Sequence, residues 1–221
     1  MFNNGAEMDK FDIVRATEKD RERVQQFLQE HYYPFEPINV AMGLENGHSL
    51  ADEAHLLGCL REGTSLLALA PDESRTLLGV CINGSIFSDE NMVEIASTCS
   101  CQRYAKFLWF LETVDRCSDF WKVAAVPIAL TCEALAVQGS VRGVGVGKAL
   151  LEHTVKVARD DNFPLLRVDC SSYYSARLAE QIGLECMYSL PYSQYKDEDG
   201  NQVLQPPSPH TELKMFIHRF L

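Results

Sequence analysis

The chain has 221 residues, 46% hydrophobic and 23% charged, ordinary values for a globular protein able to bury a sizeable core. Its formal net charge is −11, with acidic residues spread along the chain. That balance disfavours nucleic acid or an anionic membrane surface as partner, and it suits a cationic substrate as readily as it suits plain solubility. The longest apolar stretch, Val123 to Cys132, holds Pro127 and Thr131 and is too short to span a bilayer. The opening residues, MFNNGAEMDKF, lack the basic region and apolar run of a targeting signal. Eight cysteines include no CxxC pair, and Cys99-x-Cys101 has the wrong spacing for a zinc knuckle. Free thiols, no metal and a cytoplasmic location are therefore expected.

In chain order, Phe11 to Ala16 reads as a strand. Thr17 then caps a helix, with Asp20 in the place of a capping-box acid, and Val24, Phe27, Leu28 and Tyr32 recur at helical spacing. Pro34 and Pro37 make residues 33 to 39 an irregular link carrying a lone carboxylate, Glu36. Short helical stretches follow over Val40–Leu44 and Ala51–Arg61, the latter ending at Gly63. Ser65–Ala70 and Thr76–Phe87 read as a hairpin joined by a Pro-Asp-Glu-Ser-Arg turn. Asp89–Ser100 is ambiguous and reads most simply as a loop. An amphipathic helix covers Arg103–Cys117, with a short one near Asp119–Trp121. A strand over Ile128–Val137 runs into a glycine-rich turn and a helix from about Gly145 to Asp160. Then come a strand (Leu165–Cys170), a helix (Tyr173–Ile182), a strand (Leu184–Leu190), a loop or loose hairpin (Pro191–His210) and a closing strand (Glu212–Phe220). No repeat or linker divides the chain, so one α/β domain over residues 1–221 is expected.

The glycine turn carries the strongest chemical signal. Gly143, Gly145 and Gly147 alternate between Arg142 and Lys148 at the start of a helix. Such glycines let backbone N–H groups converge on a ligand, and the helix dipole adds to the same spot, as in a phosphate or pyrophosphate cradle. A P-loop would need a hydroxyl where Ala149 stands and a glycine where Arg142 stands. A dinucleotide fingerprint would need G-x-G-x-x-G and a later acidic residue, both missing. The remaining pattern is Arg142-x-x-Gly145-x-Gly147; the alternative is a turn that merely starts a helix.

That R-x-x-G-x-G pattern resembles the pyrophosphate loop of the GCN5-related N-acetyltransferases (GNAT), which bind acetyl-CoA, and the element order is similar from end to end. The link His31-Tyr-Tyr-Pro-Phe-Glu-Pro-Ile-Asn39 and the segment Cys170-Ser-Ser-Tyr-Tyr-Ser-Ala-Arg177 resemble segments of the insect arylalkylamine N-acetyltransferases. The resemblance implies a mixed, mostly antiparallel twisted sheet flanked by helices, with acetyl-CoA in the splay between central strands. It implies no metal, a small-molecule amine as second substrate and action as a monomer.

The site residues follow from the same resemblance. Leu135, Ala136 and Val137 would pair with the pantetheine arm, with a strand N–H near Ala136 or Val137 facing the thioester carbonyl. The N–H groups of Arg142, Gly143, Val144, Gly145, Val146, Gly147 and Lys148 would bind the pyrophosphate. Amines of this class have a pKa near that of lysine, so a base must take a proton before attack. Glu36 is that base, its pKa raised by apolar neighbours, unless it is only a surface or N-cap glutamate. The position of the usual thiolate-protonating tyrosine holds Ala179, so Ser171 and Ser175 would carry protons or orient water, unless both only cap the helix, the role read for Ser172. Tyr33, Phe35 and Tyr188 would line the amine pocket, unless they are core or rim. The substrates implied are dopamine, serotonin, tyramine or octopamine, with agmatine or polyamines as the alternative. Two rivals stand beside this reading: a covalent route through Cys132 or Cys170 with His153 as base, and a non-catalytic acetyl-CoA-binding module.

Overall fold

The computed structural model describes residues 11–44 and 50–220. The first ten residues, read above as free of a targeting signal, lie outside them. Seven strands form one sheet: β1 (Asp12–Arg15), β2 (Leu66–Leu69), β3 (Leu77–Phe87), β4 (Ile128–Val137), β5 (Leu165–Cys170), β6 (Glu185–Pro191) and β7 (Glu212–Arg219). Their order is β1-β2-β3-β4-β5-β7-β6, and every pairing is antiparallel except β4 with β5. Around it pack α1 (Arg21–His31), α2 (Pro37–Ala41), α3 (Leu50–Gly58), α4 (Met92–Thr98), α5 (Gln102–Ser118), α6 (Phe120–Ala124), α7 (Val146–Asp160) and α8 (Tyr173–Gln181). This is the helix-flanked mixed sheet that the resemblance implied.

Strand alternation sorts the core into two layers. On one face Leu66, Ala68, Cys81, Leu130, Leu166, Val168 and Phe216 meet Val146, Leu150, Leu151, Val157 and Ala158 of α7. On the other, Leu67, Leu69, Val80 and Ile82 meet Val24, Phe27 and Leu28 of α1. Farther along that face, Leu165, Met215 and Ile217 meet Phe110 and Val114 of α5. The pairing of β3 with β4 slips where Ile82 faces Ala134 and Asn83 faces Cys132, leaving Glu133 as the extra residue of a β-bulge. Bulging there places the Glu133 carboxylate over the α5 face without turning Ala134 and Ala136 away from α1.

Local chemistry explains where the elements begin. The Thr17–Asp20 capping box is present, with the Thr17 N–H donating to Asp20 at 2.7 Å. α2 starts at Pro37 rather than Val40, because Glu36 caps it and proline at the first position already has a helical φ. Residues 89–100, ambiguous in sequence, hold α4, capped by the Asn91 side chain accepting from the Glu94 N–H at 3.2 Å. Asp119, in left-handed conformation, ends α5 and passes the chain to α6. The Pro191–His210 stretch is irregular, as expected, and is anchored by the buried Tyr192 and Leu204.

Candidate active site

Two neighbouring features make up the site. The first is a backbone cleft. β4 and β5 pair only over Leu130–Cys132 and Leu166–Val168, then diverge. Leu135, Ala136 and Val137 continue to pair with β3 on one side, through Cys81, Val80 and Gly79, and have no strand partner among the described residues on the other. At the end of β4 the chain makes a 3-10 turn over Gly139–Val141 and enters α7 through Gly145. Gly143 (φ 84°) and Gly145 (φ 98°) occupy the left-handed region, which a Cβ would strain. The first backbone bond of α7 runs from the Ala149 N–H to the Gly145 carbonyl, so the N–H groups of 146, 147 and 148 precede the helical ladder. Together with the helix dipole they form a concave donor set suited to a diphosphate. The Val146 side chain is buried and that of Val144 exposed. Lys148 lies 3.7 Å from Glu152, and the Arg142 guanidinium sits over the Phe35 ring at 5.4 Å.

The second feature is a cavity of about 260 Å³ on the α5 face of the sheet. Its walls include aromatic side chains from the end of α1 (its C-cap, Tyr32), α5 and α6 (Tyr104, Phe107, Trp121) and six carboxylates: Glu36, Asp52, Glu90, Asp115, Glu133 and Asp169. Among the described residues of its lining, the basic groups set against them are His55 and Arg167. Arg167 is held by Asp115 and Asp169, each at 2.6 Å, and lies over the Phe120 ring at 4.5 Å. His55 Nε2 lies 3.5 Å from Glu133, and the Glu133 hydrogen bond pushes its pKa up to about 9 against the opposing effect of burial. Burial among like charges pushes Asp52 up to about 7, although His55 pulls it down.

Glu36 is 8% exposed and joins the two features. It caps α2, its carboxylate accepting from the Asn39 N–H at 2.6 Å. Burial raises its pKa, opposed by hydrogen bonds from the Asn39 N–H, the Ser171 hydroxyl and the Ile38 N–H. Ser171, 135 residues away in sequence, is thus near enough in space to lower the Glu36 pKa. The Ser171 carbonyl in turn accepts from the Tyr192 hydroxyl at 2.7 Å. Ser172 is the N-cap of α8, and Ser175 completes its capping box, their hydroxyls 2.8 Å apart. Ser175 therefore faces Ser172 and Cys170, not Glu36.

None of the three aromatic residues expected at the amine lines this cavity. Tyr33 is 1% exposed and packs in the core with α1, while its neighbour Tyr32 faces the cavity. Helical geometry at the end of α1 turns adjacent side chains to different surfaces. Phe35 is 58% exposed and lies on the cleft side, over Arg142. Tyr188 leans on the α5 core beside Cys117. Sequence reading missed Asp52, His55, Glu133, Arg167 and Asp169. The last three left a signal, since charged residues interrupt the otherwise apolar strands Cys132-Glu-Ala-Leu and Leu166-Arg-Val-Asp-Cys170.

Among the described residues there is no cluster suited to a metal ion, and no helix long and apolar enough to cross a membrane. No protein-family model matches the chain. Solved structures do. An agmatine N-acetyltransferase mutant in its apo form is 29% identical, with a TM-score of 0.87, over 96% of this chain and all of its own. A mosquito arylalkylamine N-acetyltransferase-like protein, 5b, is 27% identical, also with a TM-score of 0.87, over 95% of this chain and all of its own. The Drosophila melanogaster polyamine N-acetyltransferase that forms N-acetylagmatine is 30% identical, with a TM-score of 0.86, over 95% of this chain and all of its own. With that likeness along nearly its whole length, the chain belongs to the GCN5-related N-acetyltransferases, as an insect arylalkylamine N-acetyltransferase-like protein.

Proposed function

We propose that residues 1–221 form one amine N-acetyltransferase domain that moves the acetyl group of acetyl-CoA directly onto a small primary amine. The observation that carries this reading is the buried Glu36 carboxylate on the wall of the acid-lined cavity, beside the place where β4 and β5 part. Open N–H groups and positive-φ glycines at 143–148 fit a diphosphate, and the unpaired side of Leu135–Val137 fits an extended amide arm. The coenzyme supplies a thioester that an amine can attack. The chain's part is to align that amine, take its proton and steady charge on the carbonyl oxygen.

Glu36 is the base. Its raised pKa brings it nearer to the ammonium group it must deprotonate, and Ser171 bridges it to the cleft. Glu36 takes one proton from the ammonium and passes it to water. The neutral amine then attacks, the new C–N bond forms as the C–S bond breaks, and the second nitrogen proton goes to the departing thiolate, giving free CoA thiol. A covalent route has little support in the cysteines: burial pushes Cys170 up to about 12, and Cys132, its thiol hydrogen-bonded to that of Cys81, is raised as well. Ser175, expected to share in catalysis, would act by holding the start of α8. The described cysteines carry free thiols, which agrees with the reducing, cytoplasmic compartment proposed.

The aromatic wall supports an arylalkylamine, in the manner of dopamine or serotonin. The six carboxylates favour a second reading, agmatine or a polyamine. The test is free-thiol release from acetyl-CoA across a panel of both classes. Release with at least one amine is expected; a protein that binds the coenzyme yet releases no thiol with any of them is a binding module instead.

A further inference from the structure

One short segment brings three polar side chains to the same cavity. Tyr32 closes α1, Glu36 caps α2 and Asn39 lies within α2, and all three line the acid-lined cavity. Backbone bonds fix their spacing. The Tyr32 carbonyl accepts from the Phe35 and Glu36 N–H groups at 2.9 and 3.0 Å, and the Glu36 carboxylate accepts from the Asn39 N–H at 2.6 Å. The Asn39 side chain takes no part in this. It is 7% exposed, yet its amide has no hydrogen-bond partner among the described residues, and neither has the Tyr32 hydroxyl. Burying an amide unpaired costs free energy, and an apolar residue of the same shape would serve the fold better. The neighbouring Ile38 shows that alternative, packed against Phe110 and Val114 of α5. Neither group competes with Glu36 for a proton. An amide is neutral, and burial, with the Glu36 charge adding to it, raises the Tyr32 hydroxyl, which stays protonated.

We propose that Asn39 and Tyr32 orient the reacting nitrogen: the Asn39 side-chain carbonyl accepts the N–H that stays in the amide product, and the Tyr32 hydroxyl oxygen accepts the other. This rests on the acetyltransferase reading and adds two groups that touch the substrate to the base already assigned. Once Glu36 has taken its proton, the amine keeps two N–H groups and one lone pair. Acceptors on both N–H groups leave the lone pair as the part of the nitrogen free to face the thioester. Attack puts positive charge on the nitrogen, so both bonds strengthen in the transition state and act on rate more than on affinity. As the C–S bond breaks, the proton held by Tyr32 passes to the departing thiolate, and the one held by Asn39 remains. Neither acceptor changes its own protonation state.

The test uses Asn39→Leu, close in shape but without an acceptor, and Tyr32→Phe, which keeps the ring. Asn39→Leu should match or exceed wild type in denaturant unfolding, because the replaced amide has no partner to lose. With whichever amine wild type acetylates best, kcat should fall about tenfold in each variant, while KM for the amine changes by less than about threefold. The acid limb of the pH profile should keep its midpoint, since Glu36 is untouched. Should Asn39→Leu not fold, Asn39→Ala should show the same loss. Wild-type kcat in Tyr32→Phe or in the Asn39 variants overturns the proposal, and so does a loss that comes with a displaced acid limb. If wild type releases no thiol with any amine, the acetyltransferase reading fails alone, and binding then decides. Phenethylamine is titrated by calorimetry into the protein with CoA at about pH 9, where roughly a tenth of the amine is neutral. Binding a few-fold weaker in each variant sustains the two contacts; equal binding sinks them.

Discussion

The two halves of the site are built on opposite principles. The cleft proposed for the coenzyme is made of consecutive backbone: the end of β4, one turn and the start of α7, about a dozen residues in unbroken sequence. The acid-lined cavity is made of side chains from the α1–α2 link, α2, α3, α4, α5, α6, β3, β4, β5 and the turn after β3. A backbone site tolerates change in most side chains and depends on a few conformational positions. A side-chain site depends on charges that must balance across distant elements. The two should therefore fail in different ways.

The largest effect is expected from breaking the balance under the cavity. Arg167→Leu leaves Asp115 and Asp169 buried without their counter-charge, and should cost about 3–5 kcal/mol in denaturant unfolding. Glu36→Gln comes next and spares the cleft. Acetyl transfer should fall by about 10²-fold or more, while calorimetry shows coenzyme binding nearly unchanged. Because burial raises the Glu36 pKa, the wild-type rate should decline on the acid side at a pH above the ordinary carboxylate range, and that limb should vanish in the variant. An unchanged profile removes Glu36 from the mechanism.

Gly145→Val strikes the other half. A β-branched residue at φ 98° should strain the turn, weakening acetyl-CoA binding by about tenfold or more, with amine selectivity kept. The Asp52→Asn comparison is read by pH. The carboxyl has a folded pKa of about 7 against an ordinary 3.8, so its ionisation costs the folded state nothing below 3.8 and the full amount above about 7. Wild type should thus lose stability relative to Asp52→Asn as pH rises through that window, by about 1–2 kcal/mol in urea titrations at the two ends, since water reaches this half-buried group. The smallest change is Tyr192→Phe, which removes the bond to the Ser171 carbonyl and should cost about 1 kcal/mol with a few-fold loss of rate.

The same contrast explains what could be read from sequence. Arg142 to Lys148 announced themselves because glycine spacing is written in consecutive letters, and the strands flanking them follow simple alternation. The Glu36 segment and the Ser171 segment were visible only through resemblance. Their contact is a product of the fold, since nothing local says that the link after α1 returns to the end of β5. Substitution of Tyr32 for Tyr33 in the cavity turns on one step of helical rotation, which periodicity does not resolve at a helix end. Glu133 faces the cavity because of a bulge opposite Ile82 and Asn83, and strand alternation cannot foresee an extra residue. α4 escaped notice because its apolar positions, among them Val93 and Ile95, stay half-exposed and leave no clear stripe.

The most direct test of direct transfer from the β4–α7 cleft to an amine in the acid-lined cavity is a single-turnover experiment. Protein and one equivalent of acetyl-CoA are mixed first without amine and then with cadaverine or phenethylamine, following thiol release and the intact protein mass. The account predicts no release before amine is added, one equivalent of N-acetyl amine afterwards, and a protein mass unchanged throughout. Thiol release without amine, with the acetyl group appearing on the protein, would contradict it.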